Sequence, residues 1–399
     1  MQNNPKHPKA WWKTLATVAL AVWTCVPAME AGAAEVKNVT AKYAWPWGVH
    51  INYEVSGTLA SVPPFVVMAT DRTSGATYTA AASSLSGDMG TAAGKHQLVW
   101  DLDKQGIKLQ STNVVFTVMI APLYCVIDLS AGANASSYPV TYMDVPPSGG
   151  FNTDVYKTTK LVLRRIEPGT FMMGSPTNDP DVIYNNEDQH QVTLTKPYYI
   201  GLFEVTQKQW QLVTGSNPSQ YSGDKRPVEK VSWDTIRGNS STYNWPGSSA
   251  VDANSFIGRI QKRTGLAFDL PTEAQWEYAC RAGTTTAYSY GASANGDYMW
   301  YDSNSSSQTH DVGSKNANAW GLYDMHGNVW ERCLDWYAKS LGTAAVTDPK
   351  GASSGSNRMT RGGCWDGAAA YCRSAYRGHS NPSYASSGQG FRLSRTVSE

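Results

Sequence analysis

Charge is scarce in this chain. Lys and Arg together number 33 against 32 Asp and Glu, a net charge of +1, and only 16% of residues are charged. So balanced a chain offers no basic footprint for nucleic acid and nothing to draw it to an anionic membrane surface. Long apolar runs are missing as well. The longest, TLATVALAVW, lies near the N-terminus and falls short of the ~20 residues a spanning helix needs, so no membrane span is expected. Cysteine is sparse, six in 399 residues. Against these absences stand 35 glycines and 15 tryptophans. Each aromatic ring buries a large area, so a core can be anchored without much regular structure. A rigid, loop-rich protein of two or three domains is expected.

The first residues have the layout of an export signal. Lys6, Lys9 and Lys13 precede the apolar run and AGAAE follows it, a basic, apolar, small-residue order that predicts cleavage near Ala33 or Ala34. Cys25 follows VWT, a poor match to a lipid-attachment site, so a secreted, periplasmic or cell-surface protein is expected. Without residues 1–34, Cys125, Cys280, Cys333, Cys364 and Cys372 remain. Five is odd, so at least one thiol stays free or pairs between chains.

Residues 35–145 read as an all-β module. In GVHINYEV, Val49, Ile51, Tyr53 and Val55 alternate with other residues, the period of a half-buried strand. HQLVWDL and VVFTVMI read as further strands, and their spacing suits a small immunoglobulin- or fibronectin-like sandwich. VPPSGGFNTD is the clearest boundary, which places a linker at 146–158. Beyond it come short helices and long glycine-rich loops. Thr206 with Gln209, and Thr272 with Gln275, form capping-box patterns, while Gly215 and Gly283 can close those helices. Ala253, Phe256, Ile257 and Ile260 keep helical spacing up to Gly265. After residue 283 such signals thin out, and loops that long must be held by buried aromatics, ions or hydrogen-bond networks.

Seven stretches now occur in order: IEPGTFMMGSP, GLFEVTQKQW, PVEKVSWDTI, LPTEAQWEYACRAGTTT, GLYDMHGNVWERCLDWY, RGGCWDGAAAYCRSAYR and GQGFRLSRT. Over about residues 160–397 the chain resembles the formylglycine-generating enzyme, or sulfatase-modifying factor, family. The resemblance implies an α+β, C-type-lectin-like domain over 159–399 with little regular secondary structure. It also implies an oxidase that converts a sulfatase cysteine to formylglycine with oxygen and a copper(I) ion between two thiolates, the soft donors that ion prefers. In that pattern the copper cysteines fall on positions 367 and 372, and position 364 is the serine of RGGS. Here the three are Gly367, Cys372 and Cys364. Glycine supplies neither ligand nor nucleophile. Copper is thus a doubtful cofactor, with Cys372 and Cys364 the only catalytic candidates. The two thiols could instead form a disulfide or pack as small hydrophobes. A reactive thiol would need the positive surroundings that Arg361, Arg373 and Arg377 could supply.

The resemblance further implies a calcium ion on Asp324, Gly327, Val329 and Glu331. Two carboxylates and two main-chain carbonyls in a flexible loop suit such a hard cation. The histidines are too scattered for an iron site. Residues 366–390 are dominated by Asp, Gly, Ala, Tyr, His, Ser and Asn, side chains suited to a recognition surface. They also resemble the variable region of retroelement-diversified receptors on the same fold. The expected role is therefore a diverged or non-catalytic member that binds a protein or small ligand on its C-terminal loops through Trp365, Asp366, Tyr371, Tyr376 and His379. Formylglycine synthesis and a diversified receptor are the alternatives.

Overall fold

The computed structural model describes residues 35–397 apart from short stretches at 45–47, 57–64, 74–76, 81–83, 89–92, 108–112, 121, 144, 177–181, 183 and 185. The candidate export segment lies outside the described residues. Among them no helix is long and apolar enough to cross a membrane. The chain divides into two compact units at Pro122–Leu123.

In the first unit, β1 (Glu35–Ala44), β2 (Gly48–Ser56), β5 (Leu85–Gly87) and β6 (Gly94–Asp101) form one antiparallel sheet in the order β1-β2-β6-β5. A second sheet, β4-β3-β7, is built from β3 (Phe65–Asp71), β4 (Thr77–Thr79) and β7 (Val114–Ile120). The expected alternation holds: Val49, Ile51, Tyr53 and Val55 are all buried. They join Leu98 and Trp100 from their own sheet, and Val67, Ala69 and Val118 from the other, in one apolar cluster. Each valine, leucine or isoleucine among them contributes about 1.5–3 kcal/mol by leaving water.

The second unit is mixed, with many short strands and few helices. β8 (Tyr124–Asp128), β9 (Val140–Met143), β10 (Lys160–Ile166), β13 (Tyr198–Gly201) and β19 (Ser394–Thr396) make a five-stranded sheet ordered β19-β13-β10-β8-β9. This moves the boundary expected at 146–158. β8 and β9 fall inside the span assigned to the β module, yet β8 pairs with β10 from Lys160↔Asp128 to Arg164↔Tyr124. The Pro- and Gly-rich stretch is a connection within the second unit, because hydrogen bonding across it joins the strands on either side.

This sheet is buried on both faces. Cys125, Ile127, Leu161 and Leu163 point to one cluster, and Tyr124, Val126 and Val162 point to the other. The first cluster includes residues of α2 (Gln207–Thr214), α3 (Trp233–Arg237) and α4 (Phe256–Thr264), and the second includes residues of α5 (Glu273–Arg281); the short α1 (Asp154–Thr158) precedes them. Both predicted capping boxes form, on Thr206–Gln209 and Thr272–Gln275. α4 starts later than its apolar spacing suggested, because Ser255 caps it and Ala253 stays outside. β11 (Gly169–Met173), β12 (His190–Leu194) and β15 (Val346–Thr347) form a small sheet. A last one, β17-β16-β14-β18, combines β14 (Trp330–Trp336), β16 (Arg358–Arg361), β17 (Gly378–Ser380) and β18 (Gln389–Gly390).

Candidate functional site

The β17-β16-β14-β18 sheet floors a cleft of about 560 Å³, inside the size range of small-ligand sites. Trp330 pairs with Gln389 and Thr360 with Gly378, and all four line the cleft. Gly378 is required here: a Cβ at that position would stand 2.9 Å from the Trp330 ring and 2.7 Å from Thr360 Oγ1. The absent side chain lets Trp330 lie across the strand. Tyr376 packs on Trp330 and Tyr371, with ring centroids at 5.8 and 4.9 Å. His379 stacks on Tyr337 at 4.0 Å. Burial, then the nearby Arg377, lowers the imidazole below its ordinary value, so the wall it forms is neutral at pH 7.

Buried ion pairs hold the loops around this sheet. Arg373 makes two bonds to Glu187, at 2.9 and 2.7 Å. Arg377 makes two to Glu273, at 2.6 and 3.0 Å. Arg361 bonds Glu277 and the carbonyls of Ser374 and Ala375. Burial alone would raise the Glu277 carboxyl, but Arg281 and Arg361 hold it below its usual range. Bidentate pairing satisfies charge and geometry together.

The same pairing removes the activation expected for the cysteines. Arg361, Arg373 and Arg377 are each matched by a carboxylate, so they give a thiolate no net positive field. Burial pushes Cys280 up to about 12, and drives Cys372 and Cys364 well above the ordinary thiol value. All five described cysteines are buried and free, so 364 and 372 form no disulfide. The Cys364 thiol donates to Asp366 Oδ1 at 2.9 Å, and a Cβ on Gly367 would lie 3.6 Å from its sulfur. Cys364 therefore sits beside the missing side chain, with its proton held by a carboxylate. Cys372 packs with Tyr288 and Met299 and is fully buried. The thiolate pair that the resemblance implies for a cuprous ion is incomplete here, because position 367 is a glycine with no donor atom.

The loop expected to bind calcium is also engaged. Glu331 accepts two bonds from Arg392, both at 2.6 Å, and one from Trp276 Nε1 at 2.7 Å. Asp324 Oδ2 accepts the Gly313 N–H at 2.7 Å, and burial lifts its carboxyl to about 6. The acid that sequence reasoning missed is Glu204. It accepts from Asn328 Nδ2 and the Val329 N–H, and it is pushed up by burial and by Asp324 and Glu331. Of the residues expected to hold calcium, Glu331 is thus paired with Arg392, while Asp324 and a third buried acid, Glu204, lie near it. Among the described residues, no group of three or more His, Cys, Asp or Glu side chains is arranged to hold a metal.

Of the five residues expected to bind a ligand, Tyr376 and His379 line the cleft and the other three do not. Trp365 is buried, with its Nε1 donating to the Ser387 carbonyl and its ring against Tyr221. Asp366 is exposed but engaged by Cys364. Tyr371 supports Tyr376 from behind. Sequence reasoning missed Tyr337, Lys339, Thr360 and Asn186, which come from three separate segments. A tryptophan, a tyrosine and a lysine close behind the GNVWE stretch were the only available signal.

The profile of the sulfatase-modifying factor enzyme 1-like domain matches residues 152–397. The chain is 34% identical over 182 residues to a chaperone protein LppX of Paenibacillus barcinonensis, covering 37% of this chain and 65% of that one. It therefore spans less than two thirds of that relative. It is 28% identical over 280 residues to the formylglycine-generating enzyme of Mus musculus, covering 59% of this chain and 74% of the enzyme. Among solved structures, the Treponema denticola variable protein 1 matches with a TM-score of 0.48 and 31% identity, over 60% of this chain and 96% of that one.

Proposed function

This chain belongs to the sulfatase-modifying factor enzyme 1-like family through residues 152–397, and from that premise we propose that it is a binding member of the family and not a formylglycine-forming oxidase. The observation that carries the reading is the cleft on the β17-β16-β14-β18 sheet. Its aromatic side chains are fixed by stacking and its floor is opened by Gly378, so contact area is presented with little freedom left to lose on binding. Position 367 supports the same reading, since glycine has no donor atom there. A protein or small ligand enters from the C-terminal loops, and the lectin-like path and export implied by the sequence belong to this reading.

One observation favours the more specific alternative, a diversified receptor. Within residues 366–390 the buried positions include Cys372, Arg373, Ser374 and Arg377, which hold the frame. Asp366, His379, Asn381, Ser383 and Tyr384 are exposed and lie outside those buried ion pairs.

The test is direct. Reduced protein loaded with copper(I) is incubated with a peptide carrying a sulfatase cysteine motif and examined by mass spectrometry. No aldehyde is expected, and aldehyde at the cysteine would sink the binding reading.

A further inference from the structure

We infer that the cleft selects a small ligand carrying an anionic group beside a flat ring, such as an aromatic or sugar carboxylate. This rests on the binding reading above and gives it a chemical class. Three observations point the same way. The residues lining the cleft include no carboxylate. Arg377, in its wall, is already matched by Glu273 and by the carbonyls of Asn186 and Ala338. Lys339, also lining the cleft, is exposed and has no ion-pair partner among the described residues.

The cleft is therefore asymmetric: one uncommitted ammonium at the rim, with neutral stacked rings opposite. His379 and Tyr337 present one ring face, and Tyr376 with Trp330 presents another. A flat ring suits such surfaces by stacking and by apolar burial. A cationic ligand would meet Lys339 with no acid to offset the repulsion. An anionic one would make a charge-assisted hydrogen bond to it. A volume of about 560 Å³ is matched to a small molecule.

Three probes that share one ring and differ in charge isolate the point: indole-3-acetate, indole-3-acetamide and tryptamine, titrated calorimetrically into the full chain at low salt. Indole-3-acetate should bind about fivefold more tightly than the amide, the scale of one partly exposed ion pair, with tryptamine weakest. Lys339→Gln should bring the acid down to the affinity of the amide, and His379→Ala should weaken all three. Equal binding of the three probes, or no change in Lys339→Gln, overturns the inference and leaves the binding reading standing when His379→Ala still weakens them. No binding of any probe overturns both.

Discussion

The two units are held together by opposite means. In the first, strand alternation sends Val49, Ile51, Val67 and Leu98 into a core of apolar side chains. In the second, apolar clusters line the five-stranded sheet, but the loops beyond it are fastened by buried arginines. Arg361, Arg373, Arg377 and Arg392 are each at most 2% exposed, and each is paired with a glutamate. An apolar core tolerates small losses gradually, because its contacts are many and individually weak. A buried ion pair does not, because removing one charge strands the other in a poorly solvating interior.

Three experiments would break or sharpen this contrast. The largest effect is expected for Glu277→Gln, which keeps shape but removes the charge facing Arg281 and Arg361. A loss of about 4 kcal/mol is expected in urea unfolding, with amide exchange placing it in the second unit. A loss below 1 kcal/mol would mean that these pairs are incidental. The second experiment varies pH. His326 donates from Nδ1 to the Cys372 carbonyl and accepts at Nε2 from the Ser289 N–H and hydroxyl, so its ring has no place for a second proton. Burial lowers it to about 4. Its stabilising contribution is fully present above the unfolded value near 6.5 and disappears as pH falls toward 4. Over that window the protein should lose about 3 kcal/mol more than His326→Gln does. The comparison cancels the opposite contributions of Asp324 and Asp335, which burial lifts to about 6 and about 7. Identical profiles for the two proteins would count against a neutral, buried imidazole. The smallest effect is expected in the apolar unit: Ile51→Val should cost about 1 kcal/mol, measured as a shift in denaturation midpoint. A cost as large as that of Glu277→Gln would erase the distinction between the units.

What could be read in advance was local. The capping boxes at Thr206 and Thr272 involve residues three apart, and the strand at 49–55 declares itself by alternation, because backbone geometry imposes those periods directly. The boundary was misplaced because Pro and Gly mark turns whether or not a domain ends there. At the site, the absence of a thiol at Gly367 was legible, since a missing atom needs no fold to be noticed. The state of Cys372 and the duty of Glu331 were not, because each depends on residues far along the chain. Arg373 meets Glu187 across 186 positions, and Arg392 meets Glu331 across 61. Trp365 was expected on the ligand surface with its neighbours in the C-terminal loops, and the structure places it against Tyr221, outside the cleft.

By itself, the sequence determined the family, the local helix and strand starts, and the absence of a thiol at position 367, all of which are carried by residue identity and short spacing. Tertiary structure alone decided which charges are neutralised, which aromatics face outward and where Lys339 stands without an ion-pair partner among the described residues. Electrostatics and burial depend on distance in space, and here the chain brings together side chains that its order keeps apart.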